Sequence, residues 1–413
     1  MPSGTKCGID FGTSNTTMAV SYPDGARLIP LEGDNLTIPT AIFFPDRKDG
    51  DILFGRAAQQ AYLERHEGRL LRSLKRIFGT ALMEQTTQLR GQRWQYPAVV
   101  GKFLSHIKQQ SETHLQAELT DLTLGRPVHF QDGNKDADAR AESELRAIAA
   151  SVGFKNIAFQ YEPIAAALAH ERNVTGEQLA LVIDIGGGTS DFSIIRLSRD
   201  YKPDRNRAQD ILANTGVRVG GNDCDRTINL DTMMPLLGLG SHYGEKGLEM
   251  PVRLYHELSE WVKVNWCYTP QNEQFVADTQ RASTAPDKLA RLYNVLQYHL
   301  GHRILDASEQ IKITLSEKDK AEAALDFIEK ELSAGMMQAR MNKLFAKTLD
   351  PVQKMMLETL RQAGLKPQDI ALVILTGGST ALPIFQNWIT HYFPHAQVLQ
   401  EDKLGSVGLG LVL

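Results

Sequence analysis

A chain of 413 residues is longer than one hydrophobic core normally organises, so two or more domains are expected. With 42% hydrophobic and 23% charged residues and a net charge of −4, the composition is that of a globular protein. It excludes one whose main partner is nucleic acid or an anionic membrane surface. Cys7, Cys224 and Cys267 show no CxxC spacing, which leaves neither a disulfide framework nor a thiolate zinc site.

The opening MPSGTKCGIDFG has one lysine and no apolar stretch of a secretory signal, and no apolar run approaches the ~20 residues that span a bilayer. A soluble, cytoplasmic chain is therefore expected. CGIDFGTSNTTMAVSY, from Cys7, reads as strand, glycine turn, strand. Residues from about 40 to 118 read as an insertion, with Arg65–Arg76 as a basic, solvated helix. TLGRPVHF is a short strand ending in a turn, DARAESELRAIAASVGF an alanine-rich helix capped by Gly153, and NIAFQYEP leads into the helix IAAALAHER. LVIDIGGGTSDFSII, Leu181 to Ile195, is a buried strand that runs into three glycines and out into a second strand. From Asn222 to about Ile304 the pattern loses regularity and reads as a second insertion, with YHELSEWVKVNW and PDKLARLYNVLQYHL helical. The run Ile304–Ala363 is expected to be mostly amphipathic helix, with Met336, Met337, Met341, Met355 and Met356 filling core or interface. DIALVILTGGSTALPIFQNWITHYF is strand, Gly-Gly turn, helix.

The first and second glycine turns share one grammar: apolar residues, Ile-Asp, one apolar residue, a glycine turn with threonine, then a strand. Asp10 and Asp184 are the equivalent residues, so a duplicated unit is expected, with lobes at 1–180 and 181–413. A strand–glycine–strand turn brings several backbone N–H groups onto one anion, and glycine permits the close approach of phosphate oxygens. Gly12-Thr13-Ser14 and Gly186-Gly187-Gly188-Thr189 then suit a polyphosphate bridging two lobes, and Asp10 and Asp184 suit a hydrated Mg²⁺. No GxxxxGK[ST] loop and no GxGxxG opening a helix is present. His299 with His302 and His391 with His395 have near-ligand spacing, but Pro394 interrupts the second pair and no metal site is expected there.

GIDFGTSN, DIGGGTSDF and LTGGSTALP resemble, in order and spacing, the phosphate-1, phosphate-2 and adenosine motifs of the actin-like ATPase superfamily. Nearly the whole chain is similar to the nucleotide-binding domain of the 70-kDa heat-shock chaperones (DnaK-like). GRPVHFQ, GFKNIAFQYEPIAAAL and IPLEGDNLTIP bring the YegD-type chaperone-like proteins nearest. The resemblance implies an α/β actin-like ATPase fold: two ribonuclease-H-like lobes, each with an insertion subdomain (about 40–118 and 222–304), and a nucleotide cleft between them.

By the same resemblance Asp10, Gly12, Thr13, Ser14 and Asn15 match phosphate-1, and Thr13 contacts the γ-phosphate. Lys75 falls on the lysine that positions the attacking water, and Glu162 on the glutamate near metal and water. Asp184, Gly186, Gly187, Gly188, Thr189 and Asp191 match phosphate-2, and Gly220 and Gly221 a further loop beside the phosphates and ribose. Glu309, Lys312 and Ser316 fall at nucleoside-contacting positions, although their i, i+3, i+7 spacing equally describes a solvated helix face. Gly377, Gly378 and Ser379 match the adenosine motif. Lys75, Glu162, Asp184, Asp191 and Thr13 are the expected catalytic set, with ATP or ADP and Mg²⁺ as cofactors. Departures stand beside these matches. Ile313 and Ala381 replace two adenine-sandwiching arginines, Asn222 replaces an acidic residue, and the sequence stops at EDKLGSVGLGLVL, where the chaperones continue into a peptide-binding domain. The implied function is a slow ATPase switch acting through clients or co-chaperones. A non-hydrolysing nucleotide-binding module, a small-molecule kinase and an actin-like filament protein stay open.

Overall fold

Leu181–Ile185 is buried without interruption, the pattern of a strand covered on both faces, and it lies at the centre of a sheet. The computed structural model describes residues 6–47, 49–64, 66–131, 133–171, 174–200, 207–399 and 405–413. The chain packs as two compact units: one of residues up to Gly220 with Pro351–Ala381 and Phe385–Leu413, the other of Gly221–Asp350 with Leu382–Ile384.

The first unit contains two sheets of one design. The first, six-stranded sheet is built on β1 (Lys6–Phe11), β2 (Asn15–Tyr22), β3 (Gly25–Leu28), β4 (Asp121–Arg126) and β5 (Asn156–Tyr161), in the order β5-β4-β1-β2-β3, with the short strand Thr37–Pro39 also paired to β2. The second contains β6 (Glu177–Ile185), β7 (Ser190–Ser198), β8 (Ile211–Val217), β9 (Leu372–Thr376) and β10 (Gln397–Leu399), in the order β8-β7-β6-β9-β10. In each sheet the first three strands pair antiparallel with their neighbours and the last two run parallel to the first. The duplication legible in the two glycine turns therefore extends over whole sheets, and the fold is the expected mixed α/β type.

Helices repeat along with the strands. Tyr96–Leu115 (α1) precedes β4, Lys135–Ser151 (α2) joins β4 to β5, and Glu162–His170 (α3) follows β5. Asp350–Gln362 (α4), Pro383–Tyr392 (α5) and Ser406–Gly410 (α6) hold the same places around β9 and β10. Parallel neighbours need such crossovers. The alanine run of α3 packs Ile164, Ala165, Ala166 and Ala167 into one core with Val182, Ile195, Ile374, Val407 and Leu411. Small side chains matter here, because a Cβ on Gly410 would stand 1.7 Å from the Ala165 carbonyl oxygen. Arrangement of the strands brings the carboxyl ends of β1, β4 and β5 together in register, with Ile9 beside Leu124 and Gly125 beside Gln160. Open α/β sheets bind ligands at such ends.

Three expectations are corrected. The Arg65–Arg76 stretch is not a helix but a strand, Gly68–Arg72, and a 3₁₀ turn, Leu74–Ile77; Arg65 itself lies outside the described residues. Leu70 and Leu71 of that strand are buried and pair it with Ala41–Pro45, burial that a free basic helix would forgo. In the second unit Ile304–Ala363 contains a hairpin, Lys320–Ala324 against Ser333–Met337, between helices Gly301–Leu315 and Gln338–Thr348. YHELSEWVKVNW is helical over Val252–Leu258 and then breaks into turns. Met336, Met341 and Met356 are core, whereas Met337 is exposed. No helix among the described residues is long and apolar enough to cross a membrane.

Candidate active site

Asp10 and Asp184 occupy the same position in the two sheets. Asp10 pairs with Thr17 across the first hairpin and Asp184 with Asp191 across the second, with equal turn lengths. The two turns meet: a Cβ on Gly188 would lie 2.9 Å from the Thr13 hydroxyl and 3.1 Å from Cγ of Arg76. In the first turn a side chain on Gly12 would fall 2.2 Å from the Asn15 carbonyl oxygen. Thr40 braces this turn from behind, donating its hydroxyl to the Gly12 carbonyl and its amide to the Ser14 carbonyl, both at 2.8 Å.

The second turn is closed by the Gly186 amide on the Thr189 carbonyl at 3.0 Å. Gly220 presses on it so closely that its Cβ would stand 2.7 Å from the Gly186 oxygen. Gly377, at φ +79°, lies over the Asp184 carboxylate, where a Cβ would be 2.6 Å from Oδ1. Ser379 donates to the Gly186 carbonyl at 3.2 Å, whereas the space at Gly378 is open. The three glycine motifs singled out from sequence thus converge within the first unit.

Lys75 joins them. It is carried by the 3₁₀ turn that follows Ser73, a buried residue held at φ +58°. Backbone in that region is costly for serine and persists where packing over-determines it. Arg218 steadies the same turn, donating to the Arg76 carbonyl at 2.7 Å and to Gln131 Oε1 at 2.6 Å. Nζ of Lys75 sits 2.5 Å from Oε1 of Glu162, the first residue of α3, and the two side chains are 7% and 6% exposed. Glu162 lies over Gly125, whose Cβ would be 3.0 Å from Glu162 Cγ.

Charge in this cluster is unbalanced. Burial, then repulsion from Glu162 and Asp184, holds the Asp10 carboxyl well above the usual range, with Lys75 pulling the other way. Burial, then Glu162 and Asp191, does the same to Asp184. Asp191, 1% exposed, is pushed up to about 7 by burial and Glu162, against the pull of the Val128 amide, Lys75 and Thr189. Burial lowers the Lys75 ammonium's pKa, but Glu162, Asp10 and Asp184 outweigh it and leave the lysine above its ordinary value. Four carboxylates thus surround one lysine, a donor set that suits a divalent cation and its bound phosphate. Among the described residues no group of three or more His, Cys, Asp or Glu side chains is disposed as a metal cage.

Residues expected on the nucleoside side belong to the second unit. Glu309, Lys312 and Ser316 lie along helix Gly301–Leu315 and its C-cap. Lys312 is not on a solvated face: its Nζ is 2.7 Å from Asp225 Oδ1, in a pair 11% and 1% exposed, and donates to the Gly221 carbonyl at 3.3 Å. Ser316 donates to the Lys312 carbonyl at 3.1 Å. Ile313 stands exposed. Gly221 opens helix Gly221–Ile228, which also carries Asn222. Thr40, Gly216 and Arg218 escape sequence inspection, because their significance lies in contacts far along the chain. A Cβ at Gly216, for example, would collide with Asp191 Oδ1 at 2.5 Å.

The family model described as "Hsp70 protein" matches residues 6–230 and 296–408. The chain is 27% identical over 398 residues to the chaperone protein DnaK of Thermosipho melanesiensis, covering 94% of this chain and 54% of that protein. It is 27% identical over 401 residues to DnaK of Thermotoga neapolitana (94% and 55%), and 28% identical to DnaK of Thermosipho africanus (94% and 54%). The chain spans about half the length of the curated relatives it matches. A family match over most of the chain, which takes in the residues of all three glycine motifs, places it plainly: the chain belongs to the Hsp70 family.

Proposed function

We propose that the chain binds Mg-ATP and hydrolyses it slowly, as a conformational switch read by client proteins or co-chaperones. The observation that carries this reading is the meeting of two matched glycine turns, Gly188 against Thr13, beside the buried Lys75–Glu162 pair. In it, backbone N–H groups of Gly12–Asn15 and Gly186–Thr189 hold the β- and γ-phosphates, and the Thr13 hydroxyl contacts the γ-phosphate. Asp10 and Asp184 would hold Mg²⁺, which would supply charge neutralisation on the phosphate oxygens. Lys75, held by Glu162, orients the attacking water, and Asp191 accepts a hydrogen bond from it. Catalysis is then positioning and charge stabilisation.

Gly220, Gly221, Gly377, Gly378 and Ser379 shape the walls beside the phosphates and nucleoside, with Glu309, Lys312 and Ser316 on the nucleoside side. The lobes proposed to move are 1–180 and 181–413, with ADP for ATP exchange altering their closure. A second reading, a module that holds nucleotide without turnover, draws support from Ile313 and Ala381, which offer no guanidinium to stack on a base. Single-turnover hydrolysis of Mg-ATP separates the two, with Lys75→Ala alongside and melting curves to check its fold. The switch reading expects hydrolysis that falls at least a hundredfold in the variant while nucleotide still binds. Binding without hydrolysis in the parent chain overturns it in favour of the second.

A further inference from the structure

We infer that Arg126 is a positioning residue that holds the backbone donor of Asp191 and the approach to Glu162 in one clamp; this rests on the ATPase reading above. Arg126 ends β4 and is 10% exposed. Its guanidinium donates to Glu142 Oε2 and Asp138 Oδ2, each at 2.6 Å, to the Pro127 carbonyl at 3.1 Å and to the Val128 carbonyl at 3.2 Å. Asp138 in turn accepts the Phe130 amide at 2.6 Å through its other oxygen. The segment Pro127–Phe130 is therefore held at three backbone groups by one ion-paired cluster. Between them, the Val128 amide points at Asp191 and donates to Oδ1 at 2.8 Å. Among the described residues Asp191 Oδ2 is buried and has no hydrogen-bond partner, so the Val128 amide fixes which of the two oxygens is already engaged.

The same guanidinium also lies over two aromatic rings. Its carbon lies 5.4 Å from the Phe130 ring centre and 5.0 Å from that of Tyr161. Tyr161 is the residue immediately before Glu162, so the stack orients the peptide that launches the Lys75 partner. A planar fork that pairs two carboxylates and two carbonyls while lying over two rings is a task for arginine, and lysine cannot reproduce it. Burial opposes the charge, but Asp138, Tyr161 and Glu142 keep this guanidinium protonated.

The test compares Arg126→Lys with the parent chain by amide hydrogen exchange at Val128 and by single-turnover Mg-ATP hydrolysis. Expected are exchange at Val128 at least tenfold faster, with Leu122 and Leu124 of the same strand unchanged, and hydrolysis at least tenfold slower at nucleotide affinity within threefold of the parent. The triple variant Arg126→Met, Asp138→Asn, Glu142→Gln, which leaves no buried charge unpaired and frees only the exposed Arg146 from Glu142, should recover the melting temperature but not the rate. Parent-like exchange at Val128 in Arg126→Lys, faster exchange with a parent-like rate, or recovery of the rate in the triple variant overturns the clamp. Should the parent chain itself not hydrolyse ATP, the ATPase reading fails, and the Val128 exchange alone decides whether Arg126 holds the segment.

Discussion

Asp191 meets two conflicting demands. It is buried in the second hairpin, where ionisation is costly, yet the proposed role as an acceptor from water needs the carboxylate. With its pKa near 7, hydrolysis should rise between pH 6 and 8 as Asp191 loses its proton, and Asp191→Asn should be slow and flat across that range. Stability runs the opposite way. The folded pKa is raised above the unfolded value of 3.8, so this carboxyl's contribution is fully present below that value and is lost as pH rises through about 7. A gap of that size corresponds to at most about 4 kcal/mol. Asn keeps an acceptor for the Val128 amide without the charge. Asp191→Asn should therefore melt several degrees above the parent at pH 8 in the absence of nucleotide, with the gain shrinking towards pH 5. An equal gain at both pH values would show that ionisation of Asp191 is not what costs stability.

The elements show why some of this was legible in sequence and some was not. Both phosphate turns announce themselves locally, since Ile-Asp-x-Gly between two apolar runs specifies strand, turn and strand within about fifteen residues. Lys75 and Glu162 carry no such signal, since their partnership spans 87 residues of chain and exists only after folding. The strand Lys320–Ala324 was hidden by composition: KAEAA is built of helix formers, and the hairpin with Ser333–Met337 overrides that preference by burying Ala321, Ala334 and Met336. Spacing likewise left the Lys312 helix face undecided, and the buried Asp225 pair decides it.

Close approach of two elements gives a sharper test. The Cβ in Gly410→Ala would lie 1.7 Å from the Ala165 oxygen and 2.4 Å from its carbon, and backbone cannot swing aside as a long side chain would. Helix α6 must then move off α3, at a cost of about 2–4 kcal/mol in line with overpacked cores. Leu411, also on this core, lies near Gly125 and hence Glu162, so Gly410→Ala should lower both melting temperature and hydrolysis rate. A variant that melts with the parent would show that this contact has slack.

At the scale of the whole molecule, a duplicated scaffold carries chemistry that is not duplicated. Asp10 and Asp184 are true counterparts, but the position that holds Asp191 in the second hairpin holds Thr17 in the first. Lys75 comes from outside the duplicated strands, on the 3₁₀ turn Leu74–Ile77 in the connection between β3 and β4. The symmetric parts are those proposed to hold phosphate and metal, and the asymmetric parts those proposed to act on water. Symmetric carboxylates crowded around one lysine should leave the nucleotide-free protein short of positive charge. A ligand that supplies it should stabilise the fold by mass action, about 2.7 kcal/mol at a hundred times its Kd. ATP with Mg²⁺ should therefore raise the melting temperature by several degrees, and chelation of the metal should remove most of that rise. Asp10→Asn with Asp184→Asn should reduce the unfavourable crowding, raise the melting temperature of the nucleotide-free chain, and abolish the dependence on Mg²⁺. A shift by ATP that survives chelation in the parent chain would separate phosphate binding from the two aspartates and remove them from the metal site.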